Sequence, residues 1–142
     1  VIWRVVFDTK VVISALLWRG VSHSLLLEMR HRPILLFSSR FLLDELAAVL
    51  SRRKFDPVFE MRKMSRQEII RQYTALTRLV SPVRVPDIVK DDPADNQVLA
   101  CALAADANTI VSGDQHLLSL GACTGIEIFS AGGFFAELRA RH

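Results

Sequence analysis

Four carboxylates stand where an isolated acid would be awkward. Asp8 follows the apolar run Val5-Val6-Phe7, and Asp114 follows Ile110-Val111-Ser112-Gly113. Such runs read as buried parallel strands, so both acids fall at strand carboxyl ends, where open α/β sheets place their ligand crevice. Glu45 lies three residues after Leu42 and four before Val49, while Asp95 lies three before Val98 and seven before Ala102. At helical spacing, each therefore shares an edge with the buried stripe of its helix. No lysine or arginine stands at helical spacing from Asp95, so its charge costs free energy unless something else pairs with it. Carboxylates gathered at one point repel one another, and a hard divalent cation is the usual remedy. Metal binding is therefore the chemistry expected of Asp8, Glu45, Asp95 and Asp114.

The elements that must position them follow from pattern. Ile2 to Phe7 is a central strand and Val11 to Trp18 a helix. Ser22 is the expected N-cap of a helix running to His31, closed by Pro33. Ile34 to Phe37 is a second strand, and Ser38 or Ser39 caps a helix to about Arg52 with Leu42, Leu46, Val49 and Leu50 facing inward. Lys54-Phe55-Asp56-Pro57 breaks that helix. Ser65-Arg66-Gln67-Glu68 is a capping box opening a helix to about Leu79, and Val83 to Val85 is a short strand. Asp92-Pro93 caps and starts a helix to about Ala105, and Thr109 to Ser112 forms a strand. A short helix holds Leu117 and Leu118, Ile126 to Phe129 is the last strand, and Phe134 to Arg141 a closing helix. Repeated βα order predicts one domain over residues 1–142, a three-layer α/β/α fold with a central, mainly parallel sheet.

With 142 residues, 51% of them hydrophobic, the chain can bury a core without a disulfide or structural metal. Cys101 and Cys123 form no Cys-x-x-Cys pair, which fits a reduced cytoplasmic interior. Val1 to Phe7 is too short for a membrane span and is interrupted by Arg4, so no membrane partner is expected. Charge is uneven along the chain. Nine basic residues stand between Arg52 and Arg84 against three acidic ones, and from Val85 onward eight acidic residues oppose Lys90, Arg139 and Arg141. A basic middle suits phosphate contacts, with Arg62, Lys63 and Arg66 as the expected phosphate-binding residues, and an acidic second half suits cations.

Several stretches match one family in order. They are Val5-Val6-Phe7-Asp8-Thr9 with Val11 to Leu16; Ser39 to Leu50 containing Asp44-Glu45-Leu46; Asp92-Pro93-Ala94-Asp95-Asn96 with Ala100-Cys101-Ala102; and Ile110 to Asp114 with Leu117-Leu118. In these the chain resembles the PIN domain, including the VapC-type toxins of bacterial toxin–antitoxin pairs. The resemblance implies Mg2+ or Mn2+ held by Asp8, Glu45, Asp95 and Asp114, and hydrolysis of RNA phosphodiester bonds by a metal-activated water. Asp92 would add an outer contact, and Thr9 and Ser112 match hydroxyl positions that support the acids. An antitoxin protein and a homodimer are the expected protein partners.

Two positions depart from the pattern. Lys10 stands where the family usually has Asn, and an ammonium there would compete with a cation for the carboxylates. That raises a second expectation, a weakened or inactive PIN fold that serves as a partner-binding surface. His116 replaces an acid common two residues after the strand-end Asp, and on a short surface helix it is expected to be solvated. A receiver domain or dehalogenase-like phosphatase fits less well, because Asp8-Thr9-Lys10 lacks the second aspartate a dehalogenase-like site needs and the acidic run 91–95 suits neither.

Overall fold

The computed structural model describes residues 2–89 and 92–141. Val1, Lys90, Asp91 and His142, which enter the strand and charge readings above, lie outside the described residues. Among the described residues the strands are β1 (Trp3–Phe7), β2 (Ile34–Ser39), β3 (Arg78–Val80), β4 (Thr109–Val111), β5 (Ala122–Cys123) and β6 (Ile126–Phe129). They form one sheet in the order β3-β2-β1-β4-β6-β5, parallel throughout except for β5 against β6. The helices are α1 (Thr9–Leu17), α2 (Val21–Met29), α3 (Arg40–Leu50), α4 (Asp56–Arg62), α5 (Arg66–Leu76), α6 (Pro93–Ala104), α7 (Gln115–Leu118) and α8 (Ala131–Ala140). A 3₁₀ turn, Arg53–Phe55, precedes α4. Among the described residues no single helix is long and apolar enough to cross a membrane; α1 and α2 meet at 89°.

Strand β1 sits in the middle because both its faces are apolar, and successive side chains point to opposite sides of a sheet. Val5 and Phe7 enter one core with Leu17, Leu25, Leu46 and Phe134, whereas Val6 enters the other with Val98, Leu99, Ala102 and Leu117. Helices on both faces complete the expected α/β/α layering.

Several local expectations are corrected. Helix α1 begins at Thr9 rather than Val11, because the Asp8 carboxylate accepts the Val11 N–H at 2.9 Å and caps it. Ser22 is buried inside α2, whose cap position is Gly20 with no side-chain bond. Pro57 starts α4 instead of ending structure, since proline is tolerated where the N–H has no helical partner. Helix α5 stops at Leu76 and the chain pairs at once with β2, Phe37 opposite Arg78, so the strand expected at 83–85 lies at Arg78–Val80. The last helix starts three residues early, at Ala131, capped by Ser130.

The Asn96 side chain, buried in α6, clamps the segment that leads toward that helix. Its Oδ1 accepts from Ile88 N at 3.1 Å and Val89 N at 2.9 Å, and its Nδ2 donates to Val89 O at 2.8 Å. Removing these bonds leaves backbone groups unpaired, so Asn96→Ala is expected to cost about 2–4 kcal/mol. Ser65→Ala, which removes only the exposed cap of α5, should cost about 1 kcal/mol. Urea unfolding of the two variants measures the contrast, and equal losses would contradict the clamp.

Candidate metal centre

The carboxyl ends of β1 and β4 lie side by side at the point where the chain's crossovers diverge, one toward β2 and one toward β6. Asp8 N donates to Val111 O at 3.0 Å, which fixes residue 8 beside residue 112. The Ser112 hydroxyl then joins the two strand ends: it donates to Asp8 Oδ2 and accepts the Asp114 N–H at 2.9 Å. Asp114 caps α7 through His116 N at 2.8 Å. Asp92 caps α6 by accepting Asp95 N at 3.2 Å, which brings this pair in from the opposite wall. From α3, Glu45 accepts the Thr9 hydroxyl.

Donor atoms of Asp92, Asp95, Asp114 and His116 lie within 4.8 Å of one another. Asp8 and Glu45 line the same cavity, of about 660 Å³, but stand outside that tight group, their oxygens engaged by Ser112, Val11 N and Thr9. Asp92 sits inside the group rather than at its margin. His116, expected to be solvated, has Nδ1 at 3.5 Å from Asp92 Oδ2 and 3.6 Å from Asp114 Oδ1. The signals that could have found them were the cap spacing from Asp92 to Asp95 and the two-residue step from Asp114.

Asp95 is 5% exposed, and its Oδ2 is the one buried side-chain polar atom without a hydrogen-bond partner among the described residues. Burial pushes its carboxyl up to about 8, helped by the hydrogen bond shared with Asp92 and the negative charge of Asp114. Asp8 is also raised, mainly by burial, although bonds from Ser112, Val11 and Gly113 oppose the shift. For Asp92 burial is the largest single effect and raises the carboxyl, but the Asp95 N–H, the bond shared with Asp95 and His116 together outweigh it and leave the carboxyl below its ordinary value. An orphaned buried oxygen facing further carboxylates fits a divalent cation, whose binding would replace a proton on Asp95. Beneath the site Tyr73 is buried with its hydroxyl pKa raised, chiefly by burial, and the Cys101 thiol is pushed up to about 12 for the same reason.

The structure does not bring Arg62, Lys63 or Arg66 to this cavity. Arg62 Nη1 donates to Leu16 O at 2.9 Å at the end of α1, and Arg66 pairs with Asp56 and lies 4.6 Å over the Phe59 ring. Lys63 is an exposed left-handed residue ending α4. The basic residues that do line the cavity are Lys10, Arg52 and Lys54, beside Trp18 and Phe55.

The raised Asp95 pKa has a definite sign. Between the ordinary carboxyl range near 4 and about 8, the folded chain keeps a proton that the unfolded chain has lost, so stability falls as pH rises through that window. In EDTA, Tm is expected to decline from pH 5 to pH 8. Asp95→Asn should flatten the decline and raise Tm at pH 8 by roughly 3–8 °C, equivalent to about 1–2 kcal/mol. A wild-type Tm that rises across this range would contradict the assignment.

Compared with known protein families, the chain matches the PIN domain over residues 4–116. No curated protein matches it. The matched span runs from β1 through the Asp114 cap, so it contains every acid that lines the cavity. By that match the chain belongs to the PIN domain family, whose members are generally nucleases that use divalent metals.

Proposed function

We propose that this chain is a Mg2+- or Mn2+-dependent endoribonuclease whose metal is held by Asp8, Asp92, Asp95 and Asp114, with Glu45 completing the site or orienting water. The observation that carries the reading is that Asp95, whose buried Oδ2 has no hydrogen-bond partner, brings a carboxylate oxygen within 4.8 Å of those of Asp92 and Asp114. A divalent ion bound there lowers the pKa of an attacking water and neutralises the charge that grows on the phosphate. Thr9 and Ser112 hold Glu45 and Asp8 by hydrogen bonds and so limit the rotamers those acids can take. Phosphates of the RNA would be met by Lys10, Arg52 and Lys54 at the cavity wall rather than by Arg62 and Arg66, whose guanidinium groups are already engaged.

The reading of an inactive, partner-binding fold rests on a Lys10 ammonium inside the carboxylate cluster. Lys10 is exposed, and among the described residues it has no carboxylate oxygen within 4.0 Å. Those two facts favour the open metal site. A toxin role with an antitoxin partner is part of the same proposal. It is supported by the motif resemblance and by apolar side chains exposed on the edge strand β3 and in the segment that follows it, Leu79, Val83 and Val85. A homodimer is proposed with it, and light scattering reads it directly.

With Mn2+ and single-stranded RNA, Asp95→Asn and Asp114→Asn should each lower cleavage by at least about tenfold to a hundredfold with unchanged circular dichroism. Wild-type levels in either would remove that residue from the centre. Replacing Lys10, Arg52 and Lys54 by Ala should make the log–log salt dependence of RNA binding shallower by roughly 0.7 per lost phosphate contact. Lys63→Ala should leave that slope unchanged. The reverse pattern would return the RNA to the α4–α5 surface.

A further inference from the structure

We propose that His116 is itself a metal ligand, through Nδ1, and that it tilts the centre away from Mg2+ toward first-row transition ions. This rests on the metal-centre reading above and specifies which cation the site selects. The imidazole nitrogen stands 3.5 Å from Asp92 Oδ2 and 3.6 Å from Asp114 Oδ1. All four donor atoms, with that of Asp95, fall within 4.8 Å of one another. An octahedral ion with bonds of about 2.1 Å separates its donors by about 3 Å when adjacent and about 4.2 Å when opposite. The two imidazole spacings fall between those values and no spacing in the set exceeds 4.8 Å, so a slight inward movement of the His116, Asp92 and Asp114 side chains closes the set.

Two further facts direct the ring toward the carboxylates. Its backbone N–H is fastened to Asp114 Oδ1, which anchors the short α7 helix beside the acids. Asp95, 5% exposed with Oδ2 unpartnered, is a buried acid of the same cluster that a cation would satisfy. The His116 side chain is 67% exposed, so it is not needed to fill a core. Mg2+ takes oxygen ligands and keeps its waters, whereas neutral imidazole nitrogen suits transition ions, with affinity rising from Mn2+ toward Co2+ and Ni2+. Exchanging one oxygen donor for nitrogen therefore weakens the site's claim on Mg2+ relative to those ions.

The competing account makes His116 an imidazolium that only pairs with Asp92 and Asp114 and leaves when a metal arrives. Electron paramagnetic resonance separates the two. Mn2+ is titrated into the full chain without RNA, free ion is read from the continuous-wave spectrum, and nitrogen coupling of the bound ion is read from electron spin echo modulation. Wild type should show ¹⁴N modulation, and His116→Ala should lose it while binding Mn2+ at least about tenfold more weakly. His116→Asp should restore oxygen ligation and shift the Mn2+/Mg2+ preference, measured by competition, at least about tenfold toward Mg2+. Tight wild-type binding without ¹⁴N modulation would overturn the His116 assignment alone. Absence of Mn2+ binding in wild type would overturn the metal centre with it, as would Mn2+ binding that survives Asp114→Asn unchanged.

Discussion

The pairing of β1 with β4 is the contact on which the acidic centre depends. It sets Asp8 against Val111 by one backbone bond and lets a single hydroxyl, that of Ser112, reach Asp8 on one side and the Asp114 amide on the other. The N-caps of four helices meet at the same end of the sheet: Asp8 for α1, Ser39 for α3, Asp92 for α6 and Asp114 for α7. Each helix N-terminus stabilises a nearby carboxylate by about 0.3–1 kcal/mol, whereas two carboxylates 4 Å apart repel by about 4 kcal/mol at an effective dielectric of 20. The dipoles alone do not balance the repulsion. Burial first, and then that unbalanced repulsion, make Asp95 hold its proton to high pH when no cation is bound.

Four of the fourteen arginines are engaged by backbone carbonyls of the fold. Arg4 donates to Ala105 O at 2.7 Å and lies 4.6 Å from the Phe37 ring centre, and Arg32 joins Glu28 to Arg141 O. Arg62 and Arg66 close the C-terminal ends of α1 and α3 in the same manner. A planar guanidinium with five donors suits helix ends, which carry carbonyl oxygens with no partner of their own. Lysine appears where a mobile charge is exposed, and Lys10 and Lys54 are two of the three cations at the cavity. Thus the basic middle supplies Arg52 and Lys54 to the cavity, where Lys10 joins them from outside it, whereas Arg62, Lys63 and Arg66 stand elsewhere.

What could be read from sequence divides along physical lines. The strand-end acids Asp8 and Asp114, the Ser65 cap, and the Asp92-Pro93 opening of α6 were legible because caps and strand ends are local. The layered parallel sheet followed from the βα order. Strand β3 was misplaced because Val83 and Val85 look like a strand, whereas register against β2 is a nonlocal choice made at Arg78. Helix α4 was missed because Pro57 was read as a breaker. The meeting of His116 with Asp92 was not legible at all, since 24 positions separate them and only the β4–α6 arrangement closes the gap. The engagement of Arg62 was not legible for the same reason: its partners are carbonyls of a helix far back in the chain.

The order of these residues along the chain also times their chemistry. Asp8 and Glu45 are made early, Asp92 and Asp95 later, and Asp114 and His116 later still. Before β4 exists, the central strand has no neighbour on that side, and Asp8 has neither the Val111 carbonyl nor the Ser112 hydroxyl to seat it. A nascent chain therefore holds no complete acidic cluster until translation has passed residue 116. The topology postpones assembly of that cluster to the last quarter of synthesis.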